Sequence, residues 1–142
     1  MEEFCGRVLD FDMLTPVNDP IQARQSILHI CCRQTILELR DEIFRLHGYE
    51  VTSTLDMKNA LTLYRQRTYT LVLIDVEGEG RVASAEHLCG EIKHENPDQV
   101  VAFLCNSRVS IDSDCPDEVI HAEFNPAAMI KGVSELLVTV EN

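Results

Sequence analysis

A chain of 142 residues, 45% apolar and 25% charged, has the length of one domain and the composition of a folded one. That excludes a disordered chain, and no window approaches the ~18 consecutive apolar residues of a membrane-spanning helix. Twelve Lys and Arg against twenty-four Asp and Glu leave a net charge of −12. This balance argues against nucleic acid and anionic membrane as partners, because such affinity rests on cations meeting phosphates, and it favours a basic protein or bound cations.

The opening Met1-Glu2-Glu3-Phe4-Cys5 has neither the basic nor the apolar stretch of a secretory leader, so a cytoplasmic location is expected. The six cysteines then read as reduced thiols rather than a disulfide framework. No Cys-x-x-Cys pair occurs, which sets aside a zinc ribbon or a thioredoxin-type motif.

Residues 1–25 differ from the rest and are expected to be an N-terminal extension to a domain at 26–142. Pro16 and Pro20 with neighbouring turn formers prevent one regular element there, although Gly6–Phe11 can form a short strand. From Ser26 the chain alternates. Ser26–Cys32 is a short apolar run of strand length, and Gln34–His47 is a helix with Ile36, Leu39, Ile43 and Leu46 as its expected inward stripe. Gly48 falls where a helix stop belongs. Tyr49–Thr54 is a β-branched strand, and Asp56–Gln66 a helix capped by Thr54 or Asp56, with Ala60, Leu61 and Tyr64 inward.

Thr70–Ile74 is the most continuous apolar run in the chain, as in a strand covered on both faces, and it ends at Asp75 before a glycine loop in which Glu77–Glu79 is solvated. Ala83–Glu95 is a helix with Ser84 as cap and Ala85, Leu88, Cys89 and Ile92 inward. Val100–Cys105 is another buried strand. Residues 107–117 are polar, interrupted by Pro116, and show no apolar stripe. Val119–Phe124 is a fifth strand, and Asn125-Pro126 opens a last helix through Leu137, with Met129, Ile130, Val133 and Leu136 as its stripe. Alternating strands and helices imply a parallel sheet covered on both faces, with its site at the carboxyl ends of the strands. Those ends carry Cys31, Cys32, Asp75, Cys105 and Asn125.

From Ser26 to Val138 this pattern resembles the receiver domain of bacterial response regulators. The resemblance is carried by Gly48-Tyr49-Glu50-Val51, Leu71-Val72-Leu73-Ile74-Asp75, Asn96-Pro97-Asp98 and Phe124-Asn125-Pro126. It implies an α/β, three-layer, flavodoxin-like (CheY-like) fold with five parallel strands, the fourth helix being shortened or irregular here. It also implies that Asp75 stands where the family's phosphoacceptor stands. Cys31 and Cys32 replace the acidic pair that holds Mg²⁺, Cys105 replaces the hydroxyl residue, Asn125 replaces the lysine, and the switch aromatic becomes Ala122.

Mg²⁺ wants oxygen ligands and thiols are soft, so no cofactor is expected. With metal and lysine both lost, the main terms of phosphoryl transfer are missing. The expected role is a non-enzymatic, stand-alone pseudo-receiver that binds a histidine kinase or a downstream regulator, with homodimerisation through the last helix open by resemblance. Two alternatives stand beside it: a functional phosphoacceptor using Asp75, and a thiol-based metal or redox sensor using Cys31, Cys32 and Cys105. Against the sensor, the same cysteines are explained as small buried hydrophobes at strand ends. His29 alternates with Leu28 and Ile30 on a buried strand and is expected to be a satisfied core residue.

Overall fold

The structure, a computed structural model, describes residues 25–76, 81–106, 111–122 and 125–141. The expected strand at Gly6–Phe11, the extension at 1–24 and the loop glutamates Glu77–Glu79 lie outside them. The described elements are β1 (Ser26–Ile30), α1 (Gln34–Leu46), β2 (Glu50–Thr54), α2 (Met57–Gln66), β3 (Leu71–Val76), α3 (Val82–Glu95), β4 (Val101–Cys105), β5 (Glu118–His121) and α4 (Pro126–Glu141). The strands form one sheet in the order β2-β1-β3-β4-β5, every pair parallel.

Alternation along the strands divides the core in two. Ile27, Leu71, Leu73, Ala102, Leu104 and Ile120 pack with Phe44 of α1 and with Met129, Val133 and Leu137 of α4. Leu28, Ile30, Val72, Ile74, Val76, Val101 and Phe103 pack with Ala60 of α2 and with Ala85, Leu88, Cys89 and Ile92 of α3. This is the three-layer architecture that alternating elements imply.

Local signals act where the sequence places them. Gly48 takes φ +90° just past α1, a conformation that L side chains rarely adopt. Lys58 N donates to Asp56 Oδ1 at 2.9 Å, and Ala128 N donates to Asn125 Oδ1 at 3.2 Å, so both caps form. Ser84 does not cap α3, because the helix starts at Val82 with Arg81 before it. β3 runs one residue past Asp75, and β5 is Glu118–His121, starting one residue before the expected Val119–Phe124, whose residues 123 and 124 are not described. Among the described residues of the β4–β5 connection none is helical.

The stripe of α1 differs from expectation. Leu37, Asp41 and Phe44 are its buried residues, whereas Leu39 and Leu46 are exposed and Ile36 and Ile43 lie at the margin. The helix is rotated toward its charged neighbours because Asp41 has partners inside. Asp41 Oδ1 lies 3.0 Å from His29 Nδ1, and Ser53 Oγ donates to Asp41 Oδ2 at 2.6 Å. A buried carboxylate is tolerated when it is bonded in this way. His29 is fully buried, with its ring edge-on to Phe44.

Candidate functional site

The chain winds from β1 outward to β2 and then back to β3, so the reversal falls between β1 and β3. Crevices in such sheets open there, beyond the carboxyl ends of the strands. Ile27 to Ile30 pair with Leu71 to Ile74, which brings Cys31 and Asp75 to the same level of neighbouring strands.

Asp75 follows Leu71 and Leu73 in alternation and therefore faces α1 and α4. Arg40 of α1 comes down onto it, and Nη1 of the guanidinium is ion-paired with Asp75 Oδ1. The two side chains are 13% and 3% exposed. The place of Asp75 at the carboxyl end of a central strand leads one to expect it in an open crevice; it is buried instead, because an arginine from the first helix covers it. Nothing in the apolar periodicity of α1 singles Arg40 out. The only signal is its place one turn after Ile36, on the margin of the buried stripe.

The other candidate residues are brought to the same end of the sheet but not into one cluster. Cys31 is buried, its thiol donating to Arg33 O at 3.6 Å, while Cys32 is exposed. Cys105 pairs with His121 across β4 and β5, and its sulfur lies 3.5 Å from His121 Nδ1. Asp75 pairs with Leu104 and Val76 with Cys105, so Asp75 and Cys105 adjoin diagonally but face opposite sides of the sheet. Burial pushes the Cys105 thiol up from its ordinary value, and the nearby Asp75 charge pushes it further in the same direction. A thiol kept protonated in this way is a weak nucleophile and a weak metal ligand.

Asn125 caps α4: its side chain accepts from Ala128 N, and its own backbone N donates to Ala122 O at 2.7 Å. Ala122 is buried in the α1–α4 core. Among the described residues no group of three or more His, Cys, Asp or Glu side chains is placed to hold a metal ion. The donors named here (thiols, an amide and one carboxylate already paired with a guanidinium) do not fit Mg²⁺, which takes oxygen ligands in octahedral geometry.

Beside this centre runs an apolar groove. Ile36, Leu39 and Ile43 of α1 line one side, Pro126 and Met129 of α4 the other, and Arg40 and Asn125 close the end nearest the strands. The misplaced stripe of α1 thus has a location: it is the outer wall of the groove, and it reaches the guanidinium that holds Asp75.

No family model matches the sequence, and no curated protein matches it. Solved structures do match, and they are response regulator receiver domains. The response regulator TrrA from Thermotoga maritima, in complex with Mg²⁺-BeF, is 27% identical over 79% of this chain and 98% of its own, with a TM-score of 0.69. A complex of the histidine kinase ThkA with TrrA matches at 26% identity over 80% of this chain and 98% of that one, TM-score 0.67. A CheY-like receiver domain protein from Methanospirillum hungatei shares the fold at 18% identity and a TM-score of 0.71, over 84% of this chain and 98% of its own. The five-stranded parallel sheet is the CheY-like flavodoxin fold that the sequence leads one to expect.

Proposed function

We propose that this receiver-type domain is a pseudo-receiver of two-component signalling, which acts by binding a protein partner and not by Mg²⁺-dependent phosphorylation. One observation carries the reading: Arg40 pairs with Asp75. In a working receiver the phosphoacceptor carboxylate has to meet a metal ion and an incoming phosphoryl group. Here a permanently charged guanidinium of the same chain lies on that carboxylate. Phosphoryl transfer depends on positioning and charge neutralisation, and both are already committed to a resting ion pair. Cys31, Cys32, Cys105 and Asn125 stand at the positions of the acidic pair, the hydroxyl and the lysine, and none supplies the missing oxygen ligands or cation.

The partner surface is the α1–α4 groove. Exposed Leu39 and the marginal Ile36 and Ile43 form an apolar strip that the fold does not use. A histidine kinase is the fitting partner class, given the ThkA–TrrA complex among the similar structures; a downstream regulator and a second copy of this chain are the other candidates. The setting is bacterial and cytoplasmic, and no DNA contact is involved.

Incubation of the full chain with Mg²⁺ and a small-molecule phosphodonor, followed by intact mass, tests the reading. The expected spectrum shows the unmodified mass. A phosphoryl adduct that disappears in Asp75→Asn would overturn it and would establish the phosphoacceptor alternative.

A further inference from the structure

The groove between α1 and α4 continues past Ile43 and Pro126 to a mouth formed by His47, Ile130 and Lys131. Its apolar walls run without a break from Ile36 to Ile130. Arg40, His47 and Lys131 line it, and among the described residues no acidic side chain does, in a chain with 24 acidic and 12 basic residues. Arg40 is committed to Asp75. The charge left for an occupant therefore stands at the mouth, on Lys131 and, when protonated, on His47. An apolar trough with a cationic mouth is complementary to a segment that interleaves apolar side chains with carboxylates.

The described chain begins beside that mouth. Glu50 N donates to Gln25 O at 3.0 Å, which sets the start of β1 next to the start of β2. His47 precedes Glu50 by three residues, so their Cα atoms are at most about 11 Å apart. Residues 1–24, outside the described part, thus join the fold at the end of the groove where the cations stand. They contain Val8-Leu9-Asp10-Phe11-Asp12-Met13-Leu14, in which the only residues that are not apolar are two aspartates. The chain from Leu14 to Gln25 can span about 36 Å, which is enough to bring this stretch to the mouth.

We propose that residues 8–14 of this chain dock into the mouth of the α1–α4 groove, over Ile43, Pro126 and Ile130, with Asp10 and Asp12 toward Lys131 and His47. The inference rests on the reading of the groove as a docking face, and it is independent of whether Asp75 is ever phosphorylated. A segment tethered this close binds from an effective concentration of the order of millimolar, so a weak contact fills the site. The same arithmetic favours the chain's own segment over that of a second copy, which is present only at the bulk concentration. Leu39, further from the mouth, lies outside the occupied stretch. A partner that uses the full length of the groove has to displace the segment first, so the N-terminal extension restrains the domain's own binding face.

The test uses the full chain with Ala127→p-benzoylphenylalanine, a photo-cross-linker at an exposed position beside the mouth. The chain is irradiated in dilute solution, and the products are separated by mass, digested and mapped. The expected adduct has the mass of one chain and joins the α4 peptide to a peptide within residues 1–24. Its yield falls about tenfold in Leu9→Asp/Phe11→Asp, which removes two apolar anchors. Lys58→p-benzoylphenylalanine, on exposed α2 surface across the sheet, is expected to give no adduct with residues 1–24. The inference fails if both probes capture residues 1–24 equally, or if the Ala127 probe captures no part of them. It fails as well if the adduct has the mass of two chains, although the groove then remains a docking face. The two probe maps decide the matter even where the double variant folds poorly, and the phosphodonor experiment judges the pseudo-receiver reading separately.

Discussion

Arg40 and Asp75 are each a charge that would be costly to bury alone. Together they compensate, because the carboxylate is only 3% exposed and the guanidinium 13%. Arg40→Met leaves the carboxylate buried without its cation, and the expected loss is about 3 kcal/mol of folding stability, somewhat reduced by the solvent that Arg40 still touches. Arg40→Met combined with Asp75→Asn removes both charges and recovers most of that loss. Urea unfolding of the two single variants and the double variant reads the coupling directly, and strictly additive losses would show that the pair contributes nothing. This pair was not legible in the sequence. An arginine on an amphipathic helix looks like a solvated side chain, and only the strand alternation that turns Asp75 toward α1 reveals what it meets. Asp41 is a similar case, since its burial rests on His29 and Ser53, which lie on two other elements. Asp75 itself was legible, because a polar residue at the end of the run Leu71–Ile74 marks the carboxyl end of a central strand.

α3 and α1 show when helical periodicity can be relied on. In α3 the apolar spacing and the buried face coincide at Ala85, Leu88, Cys89 and Ile92, none of which is charged. In α1 the apolar residues are spread over more than one face, and the choice between faces is made by Asp41 and Arg40, which bond inward. The buried line is Leu37, Asp41 and Phe44; the line of Leu39 and Leu46 is left to solvent. Paired substitutions check this phase. Leu37→Ala is expected to cost about 2–4 kcal/mol, as for a buried leucine, while Leu39→Glu changes stability by no more than about 0.5 kcal/mol. Thermal melts of both variants suffice, and a large loss in Leu39→Glu would mean that α1 is turned the other way. α4 carries a constraint that no periodicity announces. A Cβ on Gly132 would stand 2.8 Å from Ile120 Cγ2, so the glycine sets how closely α4 lies on β5.

At the scale of the whole molecule, the order of elements was readable because the three inner strands, β1, β3 and β4, are near-continuous apolar runs and stop and start signals such as Gly48, Asp56 and Asn125 mark several of the connections. The β4–β5 connection was readable only as an exception, since residues 107–117 offer no stripe for a helix to bury. The net charge of −12 is a property of the surface as a whole. Like charges that repel across a folded surface are relieved by added salt, whereas the largely buried Arg40–Asp75 pair is screened much less. The thermal midpoint is therefore expected to rise between low salt and ~0.5 M sodium chloride, where the Debye length falls to a few ångström. A falling midpoint would mean that exposed ion pairs such as Arg65–Glu95 and Arg67–Glu50 outweigh the repulsion. The guanidinium over Asp75 differs in kind from a dissolved ion. It cannot be chelated, diluted or exchanged, since it arrives with every copy of the chain at a stoichiometry of one. On the proposed pseudo-receiver reading, a cell using such a domain would set the strength of its signal by how many copies it makes and by what displaces the arginine, and the supply of free magnesium would leave that setting untouched.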